Sequence, residues 1–189
     1  MLITGASPQG CGGLLLVRAS AKTQWTPVHA YEYPVDQHDA QLLGFELGSH
    51  RSQSYLETLA VYLAISWWCR HLANIPLGLA LRSDSMVALA VLDKARSASP
   101  ALNWLAAEIT LKLEQIKIGV VELKHVPGKM NVIADWLSRP QTRKDRPEAL
   151  HDCKVKQAPK LTSNIFVFGP RRSHDASVAG AAWGAVARP

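Results

Sequence analysis

A helix over residues 54–71 can bury two of its sides, and few architectures accommodate that. Leu56, Leu59, Leu63 and Trp67 recur at helical spacing, while Ala60, Ala64 and Trp68 supply a second apolar stripe. Ser54 followed by Glu57 fits a capping box at its start. Asn74-Ile75-Pro76 stops it.

The segments around this helix set the rest of the order. Leu2-Ile3-Thr4 reads as a strand, Pro8-Gln9-Gly10 as a turn, and 12–17 as a second strand, apolar enough to be buried. Loose alternation over 40–47, closed by Gly48, predicts a third strand of an antiparallel meander. After the long helix, 77–81 reads as a strand, with Ser83 and Asp84 as caps for a helix over 85–95. Ser99-Pro100 opens a helix that runs to about 117, 118–123 reads as a fifth strand, and 131–138 as a last short helix. Three strands, a helix, a strand, two helices, a strand and a helix predict an α/β domain over 1–139, with a five-stranded mixed sheet flanked by helices.

Beyond Arg139 periodicity fades. Pro140, Pro147, Pro159 and Pro170 punctuate a polar run, so 140–189 is expected to be a largely disordered extension. The net charge of +6 lies there. Residues 1–138 hold eleven basic and eleven acidic side chains, whereas 139–189 hold ten and four. A basic tail beside a neutral body suits salt-sensitive contact with phosphate backbones, or simply a solvated extension. Cys11, Cys69 and Cys153 fit neither a disulfide framework nor zinc spacing, which suits a reducing intracellular setting, cytoplasm or nucleus. The apolar run over 59–69 is too short to span a bilayer, and no secretory signal opens the chain, so no membrane partner is expected.

Three carboxylates fall where they could converge on one sheet edge: Glu57 in the first turn of the long helix, Asp84 past the fourth strand, and Asp135 in the last helix. Convergent carboxylates need a cation between them, and hard oxygen ligands suit Mg²⁺ or Mn²⁺. Each also has a structural reading. Glu57 could complete the capping box, Asp84 could cap a helix, and Asp135 could pair with Arg139 one turn on.

The surrounding motifs bear on that choice. Ala6-Ser7-Pro8-Gln9-Gly10-Cys11-Gly12-Gly13 resembles the first hairpin of reverse-transcriptase ribonuclease H domains, Tyr55-Leu56-Glu57-Thr58-Leu59-Ala60 their Glu-bearing helix, and Leu81-Arg82-Ser83-Asp84-Ser85 their Asp-bearing strand end. The run from His125 to Arg139, HVPGKMNVIADWLSR, closely resembles the segment that ends the domain in retroelement enzymes. The resemblance covers 1–139 in order and spacing. It implies a ribonuclease H-like fold, two Mg²⁺ (or Mn²⁺) ions held by Glu57, Asp84 and Asp135 with a further Asp, His125 as an auxiliary group, and hydrolysis of RNA in RNA–DNA hybrids beside a polymerase domain.

One position departs from the pattern. Where the family carries its first catalytic Asp, this chain has Gly5. In the family that Asp bridges both ions, so its loss implies a degenerate copy with impaired hydrolysis. Glu46, Asp36 and Asp39 offer no motif-supported replacement. The region over 93–99 also lacks the basic, Trp-containing protrusion of some cellular members, with Lys94 and Arg96 its nearby positive charges. The alternative to an enzyme is a non-catalytic ribonuclease H-like module that binds nucleic acid or a partner.

Overall fold

The computed structural model describes residues 1–20, 22–73 and 78–162. β1 (Leu2–Ser7), β2 (Gly10–Val17) and β3 (Thr26–Pro34) form an antiparallel meander. β4 (Leu79–Ser83) joins β1 in parallel, and β5 (Val120–His125) joins β4 in parallel. β6 (Val155–Gln157) pairs in parallel with the outer edge of β3, giving the order β5-β4-β1-β2-β3-β6. The helices are α1 (Gln37–Leu43), α2 (Gln53–Leu72), α3 (Met86–Lys94), α4 (Pro100–Ile116) and α5 (Val132–Leu137).

Strand alternation sorts side chains to the two faces of the sheet. Leu2, Leu15, Tyr31 and Tyr33 join Leu56, Leu59, Leu63 and Trp68 of α2 in the main core, with Leu105 and Ile109 of α4 behind. α2 packs on two sides, against β1 and β2 on one and against α3 and α4 on the other. On the opposite face Leu14, Leu16 and Ala30 meet Leu137 of α5 together with Leu150 and Cys153. α5 lies close because β2 is glycine-rich. A Cβ on Gly12 would stand 2.4 Å from Leu137 Cβ, so only glycine fits there.

Three expectations are corrected. The third strand is Thr26–Pro34, and the segment assigned to it, 40–47, supplies the second half of α1 and the turn after it. Asp36 and Asp39 form a reciprocal capping box, and Gly44, with φ 72°, closes the helix in the left-handed region. The sheet has six strands rather than five, the sixth coming from the stretch expected to be an extension. α2 starts at Gln53 after Ser52, and Glu57 takes no part in a cap.

The sixth strand is held by specific pairings. Arg143 forms an ion pair with Glu32, and Arg146 Nη2 donates to the Leu150 and Cys153 carbonyls at 2.6 and 2.5 Å. Lys160 Nζ reaches Asp36 at 2.7 Å and the fully buried Asp39 at 3.2 Å. Leu150, Cys153, Ala158 and Leu161 are buried. Part of the basic surplus beyond residue 138 therefore serves internal ion pairs. The expected disorder over 163–189 lies outside the described residues. No helix among the described residues is long and apolar enough to cross a membrane.

Candidate functional site

Gly5 sits in β1 on the face covered by α5. Its backbone is paired with Gly12 of β2, and a Cβ built on it would stand 3.2 Å from both Ala134 Cβ and Asn131 Nδ2. Asn131 donates from Nδ2 to the Thr4 carbonyl at 3.0 Å, and Ser7 Oγ donates to the Ser138 carbonyl at 2.7 Å. These two bonds fasten the ends of α5 to β1 on either side of Gly5.

The parallel register of β1 and β4 ends with Thr4 opposite Ser83, so Asp84 is the next residue along, beside Gly5. Asp84 is not a helix cap. Ser85 caps α3, accepting the Ala88 N–H at 3.1 Å. Asp84 Oδ1 is buried with no hydrogen-bond partner, and Gly128 lies alongside, its would-be Cβ 3.7 Å from Oδ2. A buried carboxylate oxygen without a donor is costly, and such atoms mark places where a cation or a donor is wanted. His125 pairs with Ser83 at the end of β5, and its Nε2 lies 3.1 Å from the Asp84 carbonyl oxygen. His125 is exposed.

Glu57 and Asp135 are engaged elsewhere. Gln53 Nε2 donates to the Ala6 carbonyl at 2.9 Å and to Glu57 Oε1 at 3.2 Å, tying the first turn of α2 to the residue after Gly5. Asp135 Oδ1 accepts from Arg139 Nε at 3.0 Å and Nη2 at 2.8 Å, and its side chain is 44% exposed. The structural reading thus holds for Asp135 and fails for Asp84 and for Glu57.

The structure links the backbone carbonyl of Asp84 to His125, sets Asp84 beside Gly5, and connects Glu57 to β1 through Gln53. Asp135 follows Ala134, which touches Gly5, but turns toward Arg139. Among the described residues, no three His, Cys, Asp or Glu side chains form a group that could hold a metal ion. These residues do not fit the four-carboxylate, two-ion centre that the resemblance implies. The first position lacks a carboxylate, and two of the remaining three are bonded to Gln53 and Arg139.

Sequence reasoning missed Gln53 and Asn131. The first had a signal in its four-residue spacing to Glu57 on one helix face. The second stood inside the quoted motif, and its partner, a strand carbonyl 127 residues away, left no trace in the sequence.

The chain matches no protein-family model and no curated protein by sequence. Among solved structures it is similar to LC11-RNase H1, isolated from compost by a metagenomic approach. The identity is 16% and the TM-score 0.50, over 72% of this chain and 89% of that one. The fold is ribonuclease H-like. That likeness carries the architecture, a mixed sheet with flanking helices; the activity of this chain has to be argued from its own side chains.

Proposed function

We propose that this chain is a ribonuclease H-type domain of retroelement, reverse-transcriptase descent. It engages RNA–DNA hybrid or other nucleic acid, with its hydrolytic site disabled at Gly5. The family reaction uses Mg²⁺ or Mn²⁺; Glu57, Asp84 and Asp135 stand at the matching positions, with His125 beside Asp84. The observation that carries the reading is glycine at the strand position beside Asp84, where no carboxylate is then present. Ala134 and Asn131 stand 3.2 Å from where a side chain would begin, so they have to give by only a few tenths of an ångström to admit Gly5→Asp. A metal-bridging carboxylate contributes several kcal/mol to a transition state, so a large rate loss follows from its absence. The missing carboxylate at Gly5 is equally consistent with a second reading, a non-catalytic module that retains the fold for binding nucleic acid or a polymerase partner.

The test is cleavage of a labelled RNA–DNA hybrid in Mg²⁺ and in Mn²⁺ by the parent, Glu57→Ala, Gly5→Asp, and Gly5→Asp with Glu57→Ala. The expected result is no cleavage by the parent, measurable cleavage by Gly5→Asp, and loss again in the double variant. Robust parent activity abolished by Glu57→Ala alone would overturn the inactivity. Hybrid binding by the parent without cleavage would favour the binding module.

A further inference from the structure

A second cleft lies at the far end of α2 from Glu57. His71 follows Glu57 by fourteen residues on one helix, which places them roughly 20 Å apart. Here the last turn of α2 parts from the β3–β6 ribbon and leaves a cleft of about 390 Å³, lined by His29, Trp67, Trp68, Arg70, His71 and Lys156 among others. The alternation of β3 sets His29 on the same face as Tyr31. Lys156 is paired with Tyr31 across the β3–β6 register, so all three sit under α2. The rings of His29 and His71 stand 4.7 Å apart at 61°.

Every polar group named here is a donor or can become one. None of the described residues lining the cleft is acidic. Trp68 is 1% exposed, and its indole N–H is a buried donor with no acceptor. Two imidazoles in ring contact, beside a lysine, repel one another when protonated, and an anion lying against both offsets that repulsion. Trp67, half-buried at the same wall, offers an aromatic surface.

We propose that this cleft binds the phosphate group of a phosphomonoester or of a nucleic-acid backbone. It is separate from the site around Gly5, and its occupancy does not depend on whether that site is active. Burial, then the neighbouring His71, then Lys156 hold the His29 imidazole below the usual histidine range. The groups acting on it are His71 on α2 and Lys156 on β6, both cationic or neutral; Arg70 lines the same cleft. A bound anion favours a protonated His29, so an anion of fixed charge binds more tightly as pH falls, and by reciprocity its binding favours the protonated form of His29.

The imidazole C–H resonances of His29 and His71 in the full chain report this directly. Titration with inorganic phosphate should move both. Affinity for sulfate, whose charge does not change over this range, should rise about tenfold from about pH 8 to about pH 5.5, as one imidazolium forms. His71→Gln should remove most of the effect on His29. Lys156→Ala, an exposed position that leaves both rings in place, should weaken binding about threefold to tenfold. Two short oligonucleotides, alike except for a 5′-phosphate, separate the sources. Tighter binding of the phosphorylated one identifies a terminal monoester, and equal binding of both identifies the backbone. Imidazole resonances that ignore phosphate and both oligonucleotides would overturn the proposal, as would shifts unchanged in both variants. Because the readout is ring chemistry rather than hybrid cleavage, failure at the Gly5 site leaves it interpretable.

Discussion

Asn131 donates its side-chain amide to the Thr4 carbonyl at 3.0 Å, and that bond fixes the N-terminal end of α5 against β1 next to Gly5. Asn131 is only 2% exposed, so neither partner can turn to water. Asn131→Ala leaves a buried carbonyl short of a donor and should cost about 1–3 kcal/mol of unfolding free energy. Asn131→Asp should cost more, since a carboxylate would then face the carbonyl. Urea midpoints at matched slope measure both. An alanine variant within about 0.5 kcal/mol of the parent would show that the bond does not hold α5 in place.

Asp84 presents the opposite case. Its Oδ1 is buried without a donor, so the carboxylate is poorly served by its surroundings. In the metal-free protein, Asp84→Asn should therefore be at least as stable as the parent, with a gain of up to about 1 kcal/mol. Thermal melts in chelator check this. A loss larger than about 1 kcal/mol would mean that the ionised carboxylate is favourably partnered.

The stretch after residue 139 was expected to be an appendage, yet its first part completes the sheet. A chain ending at residue 139 would lose β6, the Arg143–Glu32 ion pair and the buried Leu150 and Leu161. It should unfold several kcal/mol more easily than the full chain, because burying each large aliphatic side chain contributes roughly 1.5–3 kcal/mol. A chain ending at residue 162 keeps all of these groups and is the reference for the comparison. If 163–189 contacts phosphate backbones, this second truncation also flattens the salt dependence of nucleic-acid binding; an unchanged slope rules that contact out. Equal midpoints for all three chains would show that β6 contributes nothing.

The parts legible in the sequence were those with local signals. The double stripe of α2, the Ser99-Pro100 start of α4 and the turn after β1 are written in neighbouring residues, and the fold follows from their order. The misreadings have local causes too. Residues 40–47 alternate loosely enough to imitate a strand, but Asp36 and Asp39 cap each other and commit 37–43 to a helix. β6 is three residues long, Val155, Lys156 and Gln157, too short and too polar to announce a strand. At the candidate site the positions of Asp84 and Gly5 were readable as motif places. The commitment of Asp135 to Arg139 was one of two readings that spacing alone left open. Which carboxylate had a free oxygen depended on Gln53, Arg139 and Ser85, and those choices are made by tertiary packing.

Lys160 closes the clasp between the C-terminal stretch and α1, and its effect should be visible in acid. Its ammonium bonds to Asp36 and Asp39, while Asp39 also accepts from Tyr33 Oη at 2.5 Å. The bond from Lys160, then the Asp39 backbone N–H, lower the Asp36 carboxyl from 3.8 to about 2. A carboxylate whose folded pKa is depressed stabilises the protein above its unfolded value and loses that contribution as pH falls through the folded one. The Asp36 share is thus intact above about pH 4 and disappears toward about pH 2. Lys160→Met removes the principal cause of the shift, so Asp36 should titrate closer to its ordinary value. The variant's midpoint should also depend less on pH across that window. The check is a set of urea midpoints between about pH 2 and pH 5 for parent and variant, with the Asp36 carboxyl followed by NMR. Parallel pH profiles, or an Asp36 carboxyl still titrating near 2 in Lys160→Met, would mean that the helix cap, not the clasp, sets its acidity.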